Sequence, residues 1–518
     1  MSVKRREFLH ALGAFALLPA SARSRSQTNA RPRFSSDPFT LGVASGYPVP
    51  SGFVIWTRLA PVPDEADGGM PPEDVPVHWE VASDEAMRNP AASGVELATG
   101  EWVHSVHVEV EGLKPDHFYW YRFRAGDALS RVGRARTAPS PDSEVGRLRF
   151  AFASCQHYEQ GYFGAYRHMI RDDLDLIVFL GDYIYETSYG GRRVRSHNAG
   201  KANTLSDYRK RHALYKRDAD LQAAHAAYTW ILTWDDHEVE NDYAGDHSYT
   251  REPRELTLAR RAAAYKAYYE HQPLRRSMRP VGPDALIYTS LEYGRLARFH
   301  VLDTRQYRTP QPCQRWGHGG GNYLVDCAER TSPTATMLGA EQERWLAGVL
   351  ASSRSRWNVL AQQTMVAQLD LSTGPTQSFW TDDWDGYPEP RRRLLECLRE
   401  LRASNPVFIG GDAHMYWVSE LQLDPDSAGS PVVACDFTGT SITSRPLMQS
   451  WLLPELLSEN RHIKFGDCEH HGYVRVEIDS SRLSADLRVT DRIDTPNVTC
   501  STLASFVVED GTPCPIRI

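Results

Sequence analysis

Four short segments of this 518-residue chain, far apart in sequence, each place metal-liking side chains just past an apolar run. They are Phe152-Ala153-Ser154-Cys155, Gly181-Asp182-Tyr183-Ile184-Tyr185, Trp234-Asp235-Asp236-His237-Glu238 and Gly410-Gly411-Asp412-Ala413-His414. The runs ahead of them, Leu148 to Ala153, Leu176 to Leu180, Thr229 to Thr233 and Val407 to Ile409, read as strands. In open α/β sheets ligands gather beyond the carboxyl ends of the strands, so the four segments point to one shared site.

The donor types suggest two different ions. Asp182 and Tyr185 lie three residues apart, where a turn aims both at one point. A carboxylate with a phenolate is a hard, anionic pair suited to Fe(III). Tyrosine rarely binds divalent metals, because its pKa near 10 must be overcome. Cys155 adds a thiolate and His414 a neutral nitrogen, while the second oxygen of Asp182 is free to bridge. Asp236 and Asp412 remain for a neighbouring ion, and an all-oxygen site prefers Ca2+, Mg2+ or Mn2+ to Zn2+. Two ions roughly 3.5–4 Å apart can clamp a phosphoryl group and activate water. His237 is placed to bond a phosphate oxygen or protonate the leaving alkoxide. Each residue alone has a plainer reading: Cys155 a buried thiol, Tyr185 a packing residue, Asp182 and Asp236 helix N-caps. Asp235 reads as structural, because adjacent side chains seldom serve one ion. The joint pattern favours the metal reading.

Those ligands need a layered scaffold. From Arg147 onward strands alternate with helical stretches, the pattern of α/β architecture. Phe163, Tyr166, Met169 and Ile170 recur at helical spacing, and helices are expected over Glu255 to Gln272, Glu341 to Leu350 and Arg391 to Leu401. Leu286 to Asp303 predicts a hairpin, with strands at Ile287 to Leu291 and Ala297 to Leu302. Residues 38–140 read as all-β, with strand-like runs at Val54 to Thr57, Val77 to Val81 and Val103 to Val110. Leu113 to Arg122 resembles the turn and aromatic strand of fibronectin type III-like sandwiches. Thr137 to Pro141 reads as a linker. Residues 187–217 hold nine Lys or Arg against one acid, Asp207, and read either as a solvated helix face or as an attractor of anionic substrate.

Length implies more than one domain. The formal charge of −8 gives no sign of nucleic-acid or membrane binding. Residues 1–22 read as an export signal: Lys4-Arg5-Arg6-Glu7-Phe8-Leu9, an apolar run from Ala11 to Leu18, then Ala20-Ser21-Ala22. Paired arginines before Phe-Leu resemble a Tat signal, which predicts a periplasmic or extracellular protein handled by the Tat machinery. Eight cysteines in an exported chain suggest disulfides, with Cys313–Cys327, Cys500–Cys514 and Cys435–Cys468 as possible pairs. Cys397 reads as a small buried residue.

Taken in order, the four segments closely resemble PhoD-type alkaline phosphatases of the calcineurin-like metallophosphoesterase superfamily. Leu302 to Arg308, Gln342 to Leu346 and Trp384 to Pro388 support the resemblance. It implies a four-layer αββα core over residues 147–510, preceded by a fibronectin type III/Ig-like β-sandwich over 38–140. It implies Fe3+ held by Cys155, Asp182, Tyr185 and His414, Ca2+ held by Asp182, Asp236 and Asp412, and a further Ca2+ near Glu238 and Asn241. It also implies hydrolysis of phosphomonoesters and phosphodiesters, with His237 and Asp182 as catalytic residues. Against the wider superfamily, Cys155 replaces an Asp and Asp412 a His, and both changes favour Fe with Ca. Two rivals stand beside this reading: a phosphodiesterase specialised for lipid, teichoic or nucleic-acid diesters, and a non-catalytic surface-binding protein.

Overall fold

The computed structural model describes residues 33–427 and 429–518. The expected export signal lies outside the described residues.

Three short apolar strands, Leu148–Ala153, Leu176–Phe179 and Thr229–Leu232, pair in parallel at the centre of a ten-stranded sheet. Leu176–Phe179 and Thr229–Leu232 are buried along their length and Leu148–Ala153 at every residue but Arg149, as parallel strands covered on both faces must be. His471–Ile478, Arg482–Thr490 and Cys500–Glu509 extend one side antiparallel. A second, seven-stranded sheet has Ala297–Val301, Trp357–Ala361, Pro406–Gly410 and Val432–Thr438 in parallel at its middle. Residues of both sheets share one hydrophobic cluster; within it Phe150 meets Phe299 edge-on at 5.2 Å between ring centres. The helices Gly339–Ala351 and Pro388–Glu400 contribute Leu346, Leu350, Leu394, Leu395 and Leu398 to a separate cluster with Leu360 and Phe408 of the second sheet. The leucines of each helix recur at the three-to-four-residue spacing that makes one apolar stripe. The architecture is mixed α/β with several sheets. No helix among the described residues is long and apolar enough to cross a membrane.

The expected strands of residues 38–140 form at Gly52–Arg58, Val75–Ala82, Ser105–Val110 and Phe118–Ala125. Phe53, Ile55, Val106 and Val108 pack with Val77, Val81, Tyr121 and Phe123 in one cluster. This region is not a separate sheet system, however. Val43–Val49 pairs in parallel with Thr229–Leu232 (Ser45 opposite Thr229), so the ten-stranded sheet runs through both regions.

Some local expectations shift. The hairpin's first strand is Thr289–Tyr293, two residues later than expected, and the offset of two keeps Leu291 and Tyr293 on the core face with Ile287. The helix in the basic insert, Leu205–Lys216, is not a solvated face: Tyr208, Arg211, His212, Tyr215 and Lys216 are all buried. Its start is fixed by Thr204 and Asp207, which cap each other's backbone N–H groups. Cys313 and Cys327 form a disulfide; Cys435, Cys468, Cys500 and Cys514 are free thiols, and Cys397 is only half-buried.

Candidate metal centre

The four strand-end turns converge. Cys155, Asp182 and His414 offer ligand atoms within 4.8 Å of one another; so do Asp182, Asp235, Asp236 and Asp412, and so do Asp182, Asp236 and His237. Asp182 belongs to all three groups, which is the geometry of a bridging carboxylate. The turns are tight enough to need special backbone. Cys155, Asp182, Asp412 and His414 have φ of 58°, 56°, 60° and 56°, a left-handed conformation that costs non-glycine residues about 1 kcal/mol or more each. Strain gathered on four candidate ligands is the mark of a site that the surrounding fold holds in place. Gly181, at φ 107°, lets its turn pass Asp235; a Cβ there would meet the Asp235 backbone nitrogen at 2.6 Å.

Tyr185 ties the groups together. Its hydroxyl lies 2.7 Å from Asp182 Oδ2 and 3.0 Å from His414 Nε2, and it accepts from the Ser444 hydroxyl at 2.7 Å. The Nδ1–H of His414 donates to the Arg445 carbonyl (2.7 Å), which fixes the tautomer and leaves Nε2 free to bind. Burial pushes the Cys155 thiol and the Tyr185 phenol up, and neighbouring Asp182 adds to both. Burial likewise raises Asp182, with Asp236 and Asp235 adding to it, and raises Asp412, with Asp235 next. Asp236 is the exception: burial opposes ionisation, but His237 and Arg305 hold its carboxyl below the usual range.

So many acids in one buried place need cations. Arg305 supplies one: fully buried, its guanidinium bonds Asp235 and reaches Asp382 Oδ2 at 2.6 Å, with Nη2 3.7 Å from Asp236 and 3.8 Å from Asp412. Arg308 and Gln311 hold Asp382 from its other side. One oxygen of Asp235 is thereby held by Arg305. Yet buried Asp236 Oδ1 and Asp235 Oδ2 still lack hydrogen-bond partners. Orphaned buried carboxylate oxygens beside a thiol, a phenol and an imidazole lone pair are a donor set that fits bound metal ions.

His237 takes a different place. Its Nδ1 meets Glu186 Oε2 at 2.8 Å and its ring lies tilted against that of Tyr185, 4.2 Å between ring centres. Burial works against its proton, but Asp236, Asp182 and Glu186 overcome this and raise its pKa well above the usual range. Its ring nitrogens also lie near the Tyr189 hydroxyl, which donates to Asn241 Oδ1 at 2.9 Å. Asn241 therefore sits on the pocket wall. Glu238, expected near a further calcium, spends both oxygens on the backbone N–H groups of Asp182, Tyr183 and Asp235. It clamps the two turns and offers no ligand atom to the three groups.

A pocket of about 450 Å3 opens over the centre, lined by Tyr189, His237, Asn241, Arg315 and Arg445 among others. The basic insert reaches this pocket through Tyr189 and Gly190, and Arg445 donates to the Gly190 carbonyl at 3.1 Å. Sequence reasoning missed Glu186, Arg305, Ser444 and Arg445. Arg305 sits inside a segment already noted and Glu186 directly follows one, whereas Ser444 and Arg445 carry no motif that signals them.

Comparison with known proteins agrees with this geometry. The model of the PhoD-like phosphatase family matches residues 150–487, and that of the PhoD-like phosphatase N-terminal domain matches residues 23–139. The chain is 45% identical to alkaline phosphatase D of Bacillus subtilis (strain 168) over 519 aligned positions, 98% of this chain and 87% of that protein. A solved structure of PhoD superposes with a TM-score of 0.89 at 44% identity, covering 94% of this chain and 93% of that one. These matches leave no place for a non-catalytic surface-binding protein. The chain belongs to the PhoD-like phosphatase family and is a metal-dependent phosphoric ester hydrolase of the alkaline phosphatase type.

Proposed function

We propose that the centre holds Fe3+ through Cys155, Asp182, Tyr185 and His414, and Ca2+ through Asp182, Asp236 and Asp412. The observation that carries this reading is the Tyr185 hydroxyl set between Asp182 and His414, 3.0 Å from the free nitrogen. A phenol in that position suits a trivalent ion and serves no divalent one well. Asp236 and Asp412 contribute only oxygen, which suits calcium. Bound cations there offset phosphate charge and make water a nucleophile at moderate pH.

The chain's own residues do the rest. His237 is held by Glu186 through Nδ1, so Nε2 faces the pocket with a proton for the leaving oxygen. Tyr189 and Asn241 border that position, and Arg445 and Arg315 give the mouth positive charge for an anionic ester. The substrates are small phosphate esters, mono- and diesters alike. The packing of two sheets with helices on the second supports the four-layer core, and the clustering of Phe53 and Ile55 with Val77 and Tyr121 supports the N-terminal sandwich.

Export through the Tat machinery to the periplasm or beyond is part of the same reading. It is supported by the twin-arginine segment and by the family's N-terminal domain model, whose match begins at residue 23. The Cys313–Cys327 disulfide suits an oxidising compartment.

The test is hydrolysis of p-nitrophenyl phosphate and its bis-ester at alkaline pH, before and after treatment with a calcium chelator. Activity is lost on chelation and returns with Ca2+. Return with Zn2+ but not with Ca2+ overturns the assignment of the second metal.

A further inference from the structure

Beside the central pocket lies a second cavity of about 350 Å3, and the two share Tyr323, Trp380, Asp412 and Leu447 in their walls. Their linings differ in kind. The pocket presents Arg315, Arg445, His237 and Asn241. The adjoining cleft presents Met365, Met415, Met448, Leu452 and Trp380, and its only charged lining groups among the described residues are Asp383 and Asp412. A cleft lined by no basic side chain offers a second phosphate nothing to pair with. It favours an apolar group, and its size is that of an ordinary ligand pocket. Three of the chain's nine methionines line it, and unbranched thioethers adapt to apolar groups of varied shape.

The position of the cleft decides which part of a substrate reaches it. His237, Tyr189 and Asn241 line the pocket and not the cleft. The leaving oxygen belongs at His237, so the cleft, on the side of Asp412, faces a group that stays on phosphorus. A monoester has no such group. We infer that the cleft is a subsite for the retained organic group of a phosphodiester, and that it selects diesters whose retained group is alkyl or aryl. This rests on the reading of His237 as the group facing the leaving oxygen.

The metal-replete enzyme is tested with p-nitrophenyl diesters dissolved as monomers that share the leaving group and carry methyl, n-butyl or phenyl as the retained group. Burial is worth about fourfold per methylene, so kcat/KM rises at least about tenfold from methyl to n-butyl, with phenyl comparable to n-butyl. Leu447 is 69% exposed, so Leu447→Asp leaves the fold intact while placing a carboxylate at the cleft. It brings the butyl-to-methyl ratio to within about twofold of unity. Gln449→Trp, which fills the exposed rim of the cleft, does the same. A flat series in the unchanged enzyme overturns the inference, as does a ratio that neither substitution moves. Failure to hydrolyse even the methyl diester with metals supplied overturns the reading of the centre itself, and the two failures are thereby told apart.

Discussion

Two buried polar clusters in this molecule look alike in composition and behave in opposite ways. At the strand ends, Asp182, Asp235, Asp236 and Asp412 crowd together, the last three beside Arg305, with an open pocket above them. Under the helices Leu205–Lys216 and Arg254–His271, a second cluster gathers Arg58, His212, Lys216, His225 and His271. Much of the basic cluster is paired from within, although both ring nitrogens of His212 lack partners. His271 donates from Nδ1 to the Ala267 carbonyl and accepts from Arg58 at 2.6 Å; Lys216 meets His225 at 3.1 Å and lies over the Trp56 ring at 4.7 Å. Burial drives Lys216, His212, His225 and His271 well below their usual pKa. The acidic cluster differs in displaying its carboxylate oxygens within ligand distance of one another. Buried polar groups mark a functional centre when their backbone is strained and the cluster is open on one side. They mark a core when aromatic rings close over them.

The largest expected effect tests what in the acidic region is catalysis and what is metal binding. His237→Asn lowers kcat by about 10²–10⁴ while metal content stays unchanged, most of all for esters with poor leaving groups. Elemental analysis beside kinetics checks this, and loss of metal along with activity makes His237 a ligand.

Arg305→Met tests the balance of charge. It strands Asp235 and Asp382 in the core and costs about 3–5 kcal/mol, read by denaturant unfolding with metals present. An effect under about 1 kcal/mol means bound cations alone hold the acids together.

Histidines of the basic cluster give the smaller effect, with a definite sign. Their folded pKa values are depressed, so the folded state declines protons that the unfolded state accepts below about pH 6.5. Their contribution to stability is present above that pH and is lost as pH falls. His212, whose ring nitrogens both lack partners, contributes to the loss between pH 8 and pH 5. His212→Phe keeps the stacking on His271 and removes that share of the pH slope in thermal unfolding. An unchanged slope shows that His212 does not contribute.

The contrast also explains what could be read from the sequence. Apolar runs ending in ligand residues announce themselves locally, so strands such as Leu176–Phe179 lie within a residue of where they are expected. Pairing between Ser45 and Thr229 joins residues far apart in the chain, and nothing local shows that the N-terminal region shares the central sheet. The helix Leu205–Lys216 misleads because Lys and Arg suggest solvent, while here Arg211 turns inward to the carbonyls of Tyr185 and Gly200 and Lys216 lies against aromatic rings. Glu238 reads as a ligand from its place in Asp-Asp-His-Glu, yet the turn directs it at backbone N–H groups. Ser444 and Arg445 act through position alone, the first on Tyr185 and the second on His414.

The most direct test of the centre combines elemental analysis with the visible spectrum of the purified protein and of Tyr185→Phe. A phenolate or thiolate bound to Fe(III) donates charge to the metal, so the account predicts iron in the native protein together with a visible absorption band. Tyr185→Phe removes the phenolate, keeps the ring packed against His237, and weakens or shifts that band. Colourless, fully active protein that contains no iron contradicts the account and returns Tyr185 and Cys155 to packing roles.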